Sequence, residues 1–357
     1  MRKEHLLVIR FSAMGDVAMV VPVVWSLARQ YPDLRITVLS RGFARPFFDS
    51  LAPNVGFMEA DLKKEYHGIK GLNALYRRLT AKQFTAIADL HSVLRSEYLR
   101  MRFNMGSCRV AHIDKHRKGR RQLTATNNKQ LTPQPTSFQN YADVFAQLGY
   151  PVDIQFRSIF GNDKGAPSLL PPTPHFSSLT SHLNIGIAPF AAHEGKTYPP
   201  RLMQQVVERL VSQHPGARLY LFGRGPQEDQ YFSEWSQRYP PCVHVSQHLT
   251  SLRQELVLIS HLDVMLSMDS SNMHLASLTG TPVVSVWGAT HPYAGFMGWG
   301  QSEENAVQLP LDCRPCSIFG QKPCRRGDYA CLTNIKPDTI IERINNVLLT
   351  KKQCLRL

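Results

Sequence analysis

Apolar residues fall into short continuous runs separated by longer stretches in which they recur every three or four positions, the pattern of buried parallel strands alternating with amphipathic helices. The first series has apolar runs at 5–10, 35–39, 83–90 and 108–113, with helical periodicity at 17–30, 92–104 and 137–148. Residues 163–182, DKGAPSLLPPTPHFSSLTSH, have neither period and read as a linker. A second series follows, with strands at 184–189, 217–222, about 243–245, 264–268 and 282–287, and helices at 200–213, 226–237, 251–261 and from about Asn272 to Thr279-Gly280. Helix start signals at Lys336-Pro337-Asp338 open a last amphipathic run.

This alternation predicts an α/β protein with two doubly wound, Rossmann-like domains facing across a cleft, at 1–165 and 183–336, followed by a terminal segment at 337–357. A chain of 357 residues exceeds the size at which one core keeps growing. Such sheets gather ligands at the carboxyl ends of their strands, so chemistry is expected in the following loops. Arg10-Phe11-Ser12-Ala13-Met14-Gly15-Asp16 ends the first strand but lacks both GxGxxG and a Walker A signature. Ser12 or Asp16 could there be a plain helix cap. In 263–288, Asp269-Ser270-Ser271-Asn272 precedes a helix start that suits a phosphate, and the anionic Asp269 is better placed for sugar hydroxyls. The plainer alternative makes Asp269 a cap and His274 a core histidine. Lys196 and Glu228 lie in two further strand-to-helix loops, as does the block Asp89-Leu90-His91-Ser92-Val93-Leu94-Arg95, where Asp89 reads as a cap.

Composition narrows the partners. The formal charge is +14, with 43% hydrophobic and 19% charged residues, so a globular chain attracted to polyanions is expected. Much of the charge sits in 112–121, HIDKHRKGRR. Without interleaved aromatics or a nucleic-acid module, that run reads as a solvated loop whose Arg117 and Arg120 meet an anionic glycolipid or membrane surface, with no specific nucleic-acid partner. No apolar run reaches the roughly 20 residues of a membrane span. Arg10 and Asp16 interrupt the apolar start, which therefore reads as strand, loop and helix and not as a signal peptide, and a cytoplasmic location is expected, peripheral to the inner membrane. Cys313-x-x-Cys316, Cys324 and Cys331 are compatible with a metal clip or with free thiols in a compact loop.

The spacing Asp269-Ser270-x-x-x-His274-Leu275-Ala276, then Gly280-Thr281-Pro282-Val283-Val284, resembles the donor-site signature of family 9 glycosyltransferases, the heptosyltransferase family, with Ser271 where that family usually has glycine. Basic-x-Ser-x-x-Gly-Asp at 10–16, lysine-x-aromatic-Pro at 196–199 and the block at 88–95 are similar to further family motifs. The resemblance implies a GT-B fold whose terminal helix crosses back onto the first domain. It also implies an inverting transferase moving a sugar, heptose from ADP-heptose in the family, onto a lipopolysaccharide core or related glycolipid. Asp16 would then be the catalytic base. Lys196, Glu228, Asp269, Ser270, Ser271 and His274 would bind the nucleoside diphosphate sugar, with Lys196 on phosphate and Glu228 on ribose. Arg10, Ser12, His91 and Arg95, with Arg117 and Arg120, would face the acceptor. No cofactor is expected, and metal-independent transfer is favoured because Asp61-Leu62-Lys63 lacks the second acid of a metal-binding DxD. Alternatives are a nucleotide-sugar epimerase or hydrolase on the same fold, and a non-catalytic polyanion-binding protein.

Overall fold

A computed structural model of the chain describes residues 4–177 and 179–354. Positions 1–3 of the first expected domain, 178 of the expected linker and 355–357 of the terminal segment lie outside the described residues. The chain divides into two compact units, Met1–Lys115 with Pro135–Ile159, and His116–Gln134 with Phe160–Leu357.

In chain order, the first series comprises β1 (His5–Ile9), α1 (Met14–Ala18), α2 (Val20–Gln30), β2 (Arg35–Ser40), α3 (Arg45–Phe48), β3 (Val55–Glu59), α4 (Gly68–Thr80), β4 (Ala86–Asp89), α5 (Leu94–Asn104), β5 (Arg109–His112), α6 (Arg117–Leu123) and α7 (Ser137–Gln147). The strands form a parallel sheet in the order β3-β2-β1-β4-β5. The register sets Leu6–Ile9 of β1 against Ala86–Asp89 of β4. Strand order reverses between β1 and β4, which makes their carboxyl ends the expected ligand edge. Leu6 to Ile9 are wholly buried, as a strand covered by helices on both faces requires.

Three features depart from the sequence reading. The helix expected at 17–30 starts at Met14 and breaks at Met19, because Pro22 has no N–H to offer the turn before it. The strand β3 and helix α4 were not anticipated: β3 has Gly56 at its second position and buries only Met58, and α4 opens on Gly68 and contains Gly71, so only Leu72, Leu75 and Leu79 mark its buried face. The basic stretch expected to be a loop forms α6.

The second unit comprises β6 (Leu183–Ala188), α8 (Pro200–Gln213), β7 (Ala217–Leu221), α9 (Pro226–Arg238), β8 (Cys242–His244), α10 (Leu252–Ser260), β9 (Val264–Met268), α11 (Ser271–Leu278), β10 (Val283–Val286), β11 (Ala306–Val307), α12 (Ala330–Thr333) and α13 (Pro337–Cys354). Its parallel sheet runs β11-β10-β9-β6-β7-β8 and reverses between β9 and β6. The α6 segment is grouped with this unit. Lys129 Nζ donates to the carbonyls of Asp312 and Arg314, each at 2.9 Å, and Gln134 N–H donates to Tyr293 O at 2.8 Å. Carbonyl anchors of this kind leave no side-chain signature, so the single first domain expected at 1–165 did not anticipate the excursion. Ile340, Ile341, Ile344, Val347 and Leu348 of α13 belong to the second unit's core. No helix among the described residues is long and apolar enough to cross a membrane.

Candidate functional site

At the switch point of the first sheet, Arg10 directly follows β1 and is buried. Its guanidinium donates to Leu90 O at 2.7 Å and pairs with Asp16 Oδ2 at 2.6 Å. Asp16 is the third residue of α1, and the same Oδ2 accepts the Ala13 N–H at 3.0 Å, as an acid in a helix's first turn can. Tyr141 of α7 fixes the helix by donating its hydroxyl to the Asp16 carbonyl at 3.3 Å. Two donors therefore aim the carboxylate while its side chain stays 28% exposed. Burial opposes the charge on Arg10, but Tyr141, Asp16 and Asp89 outweigh it and hold the group above its ordinary range.

His91 follows β4. Its Nδ1 accepts the Phe11 N–H at 3.4 Å. Burial, then the positive charges of Arg10 and Lys115, push its pKa down to about 3 against the opposing pull of Asp16, so it is neutral near pH 7. Asp89 is wholly buried and caps the turn, accepting the N–H groups of His91 and Ser92 at 2.9 Å each. Around this turn Phe11, Ser12, Arg41, Leu62, Lys63, His91, Val93 and Arg95 line one cavity at the carboxyl ends of the strands. Ser12, His91 and Arg95 were expected on the acceptor side. Arg41 and Lys63 were missed: they follow β2 and β3 without a motif, and only their position in strand-end loops could have pointed to them.

At the second switch point, the loop after β6 meets the loop after β9. Lys196 Nζ lies 3.0 Å from Asp269 Oδ2, and Thr290 donates to the same oxygen at 2.8 Å. Asp269, expected toward sugar hydroxyls, is buried and turns this oxygen to Lys196. Close backbone packing holds the lysine loop. Ala289 N–H donates to Gly195 O at 2.7 Å, and a Cβ on Gly320 would lie 2.4 Å from Lys196 Cγ. The glycine at 320, at φ +79°, thus makes room for the lysine stem. Ser270 is the N-cap of α11 without bonding an amide of the first turn. Its hydroxyl instead meets Ser267 Oγ at 3.2 Å, while Ser271 is half-buried and His274 is buried in the helix. Helix-start amides beside an ammonium favour an anion.

Glu228 sits in the first turn of α9, after β7, and burial raises its pKa. Its carboxyl folds back against Gly223, where an added Cβ would lie 2.2 Å from Oε2. Arg117 and Arg120, expected with the acceptor residues of the first domain, are instead on α6 and grouped with the second unit, where Arg120 stacks over Phe296 at 4.9 Å. Cys313, Cys316, Cys324 and Cys331 line one small pocket as free thiols. Among the described residues no three His, Cys, Asp or Glu are arranged to hold a metal ion.

Residues 72–327 match the model of glycosyltransferase family 9 (heptosyltransferase). The chain is 23% identical over 301 residues to the lipopolysaccharide core heptosyltransferase OpsX of Haemophilus influenzae, covering 81% of this chain and 80% of that one. A shorter match, 30% identical over 90 residues, relates it to lipooligosaccharide heptosyltransferase 2 of Campylobacter jejuni and spans 25% of this chain and 27% of the relative. Among solved structures, E. coli ADP-heptose lipopolysaccharide heptosyltransferase II superposes with a TM-score of 0.69 at 18% identity, over 98% of this chain and 99% of that one. E. coli heptosyltransferase WaaC with ADP gives 0.66 at 17% identity, over 96% and 99%. These likenesses establish a GT-B fold of two doubly wound α/β domains, and the family match over most of the chain makes the protein a glycosyltransferase. The chain belongs to glycosyltransferase family 9, the heptosyltransferases.

Proposed function

We propose that the protein transfers heptose from ADP-heptose to a lipopolysaccharide core acceptor by an inverting, metal-independent displacement at the cytoplasmic face of the inner membrane. The observation that carries this reading is the pairing of opposite chemistry at the two switch points, a half-open carboxylate in one unit and a braced ammonium beside a helix start in the other. Asp16 takes the proton of the acceptor hydroxyl as that oxygen attacks the anomeric carbon. The bond from that carbon to the diphosphate oxygen breaks, and ADP leaves with the electron pair. A single displacement inverts the configuration.

Lys196 and the first-turn amides of α11 stabilise the charge that gathers on the departing diphosphate. Asp269 acts through Lys196 by holding its ammonium in place, and Glu228 accepts from the ribose hydroxyls. Arg41, Lys63 and Arg95 give the acceptor cavity a positive rim suited to a phosphorylated or carboxylated core sugar. The deciding experiment supplies ADP-heptose and a heptose-free lipopolysaccharide core, with and without a chelator. Glycosylated core of inverted anomeric configuration, formed at an unchanged rate with chelator, is expected. Release of free heptose without transfer would overturn the acceptor assignment, and loss of rate on chelation would overturn metal independence.

A further inference from the structure

Eight large apolar side chains are exposed among the described residues, and four of them cluster on neighbouring helices: Ile69 on α4, Leu94 and Met101 on α5, and Met105 at the α5 C-cap. Leu94 is 86% exposed and Met105 80%. Their spacing is helical. Leu94, Tyr98, Met101 and Met105 follow at intervals of four, three and four, which lines them up in one stripe about 16 Å long. The helices lie side by side in the same direction, since Asn73 of α4 accepts from Tyr98 at 2.7 Å and from Arg102 at 2.8 Å, while Tyr76 meets Phe103 edge-on with ring centroids 5.0 Å apart. One turn back from the Asn73–Tyr98 pair, Ile69 and Leu94 head the same rim.

The surroundings select the occupant. Lys63 and Lys64 in the loop that leads into α4, Lys70 and Arg77 on α4, and Arg95 on α5 are exposed. From Lys63 to Arg102 the chain carries nine Lys or Arg against three Asp or Glu, and one of those acids, Asp89, is buried against Arg100. A second copy of this chain is an unfavourable partner, because at +14 the molecules repel one another. Apolar side chains ringed by cations fit the boundary of an anionic bilayer, with the stripe among the acyl chains and the cations at the headgroups. Arg95, next to Leu94, and Lys63 also line the acceptor cavity, so a bilayer on this face would present its amphiphiles beside that cavity.

We infer that the Ile69, Leu94, Met101 and Met105 face of α4 and α5 docks the protein on an anionic lipid bilayer. This deepens the proposed glycolipid-acceptor reading, and it moves the membrane contact from the basic stretch at 115–121 to the first unit. The test is co-sedimentation of the full chain with phosphatidylcholine vesicles, with and without phosphatidylglycerol, in the absence of either substrate. Wild-type protein is expected on the anionic vesicles alone, more weakly as salt rises. Joint replacement of Ile69, Leu94, Met101 and Met105 by serine should weaken binding at least about tenfold. Lys64→Gln, Lys70→Gln and Arg77→Gln together should weaken it about a hundredfold, at roughly fivefold each.

All these positions are exposed, so thermal unfolding and transfer to a soluble, lipid-free core acceptor should remain at wild-type levels. Failure of wild type to bind anionic vesicles, or undiminished binding by the serine variant, would overturn the inference. So would a serine variant whose vesicle binding persists while a wild-type oligomer dissociates, which marks the face as a self-association surface. Because the vesicle measurement uses no substrate, it stands apart from any failure of the transferase reading.

Discussion

The two switch points hold their charged groups in different ways. In the first unit Asp16 is paired with Arg10 yet 28% exposed, and its charge reaches His91, which lines a cavity with Arg41, Lys63 and Arg95. In the second, Lys196 and Asp269 are 17% and 5% exposed, and Thr290 and the Gly320 backbone close around them. A proton acceptor must be reached by an arriving hydroxyl, so it cannot be sealed. A group that stabilises a leaving diphosphate gains from a drier, fixed position, where its charge acts at low dielectric and does not have to reorganise. The contrast therefore separates a site built for access from one built for rigidity, and substitutions at the two should fail differently.

The largest effect is expected at the open site. Asp16→Asn keeps the shape and an acceptor for the Ala13 N–H but removes the proposed base, so kcat should fall about a thousandfold. Donor affinity, measured by calorimetry with ADP, should stay within about twofold. Wild-type turnover by this variant would remove Asp16 from the chemistry.

The braced site should lose stability as well as rate. Lys196→Met strands the buried Asp269 carboxylate, which costs about 3 kcal/mol in chemical denaturation, alongside roughly a hundredfold loss in kcat. Adding Asp269→Asn should restore most of the stability and none of the rate. If Lys196→Met alone unfolds at the wild-type denaturant concentration, the pair is not a brace.

A smaller effect separates the units by pH. His91 has a folded pKa of about 3 against 6.5 for the free side chain. Below pH 6.5 the unfolded state therefore takes a proton that the folded state refuses, and stability falls with pH at up to about 1.4 kcal/mol per unit. His291 in the second unit, pushed by burial and by Arg314 to about 4, adds to the same trend. His91→Asn should shrink the stability lost between pH 7 and 5 by about 1–2 kcal/mol, leaving the share of His291 and of His5, His248 and His261, which burial also holds below the ordinary value. An unchanged pH slope would mean that His91 titrates normally in the folded protein.

Both switch points were readable in the sequence because each combines a short apolar run, a Gly or Ser turn and a helix start at fixed spacing. What escaped was set by contacts rather than spacing. Arg41 and Lys63 reach their cavity only because β2 lies beside β1 and β3 beyond it, and β3 itself was hidden by Gly56 and by having one buried residue, Met58. The α6 excursion depends on Lys129 reaching backbone carbonyls nearly two hundred positions away. The partnership of Lys196 with Asp269 was hidden in a similar way, since each residue had a plausible ligand of its own.

The smallest expected effect tests how finely Lys196 is placed. Gly320 and Gly327 both sit at φ +79°, so alanine at either position incurs similar backbone strain, about 1 kcal/mol. Their surroundings differ. A Cβ at 320 would meet Lys196 Cγ at 2.4 Å, whereas at 327 there is nothing within 4 Å. Gly320→Ala must push the lysine stem aside, and its ammonium with it, so kcat should fall about tenfold as stabilisation of the leaving group is lost. Gly327→Ala, with no side chain to displace, should lose less stability than Gly320→Ala and keep wild-type kcat. Equal rates for the two variants would mean that the lysine tolerates displacement, and the rigidity ascribed to the second site would then have no bearing on catalysis.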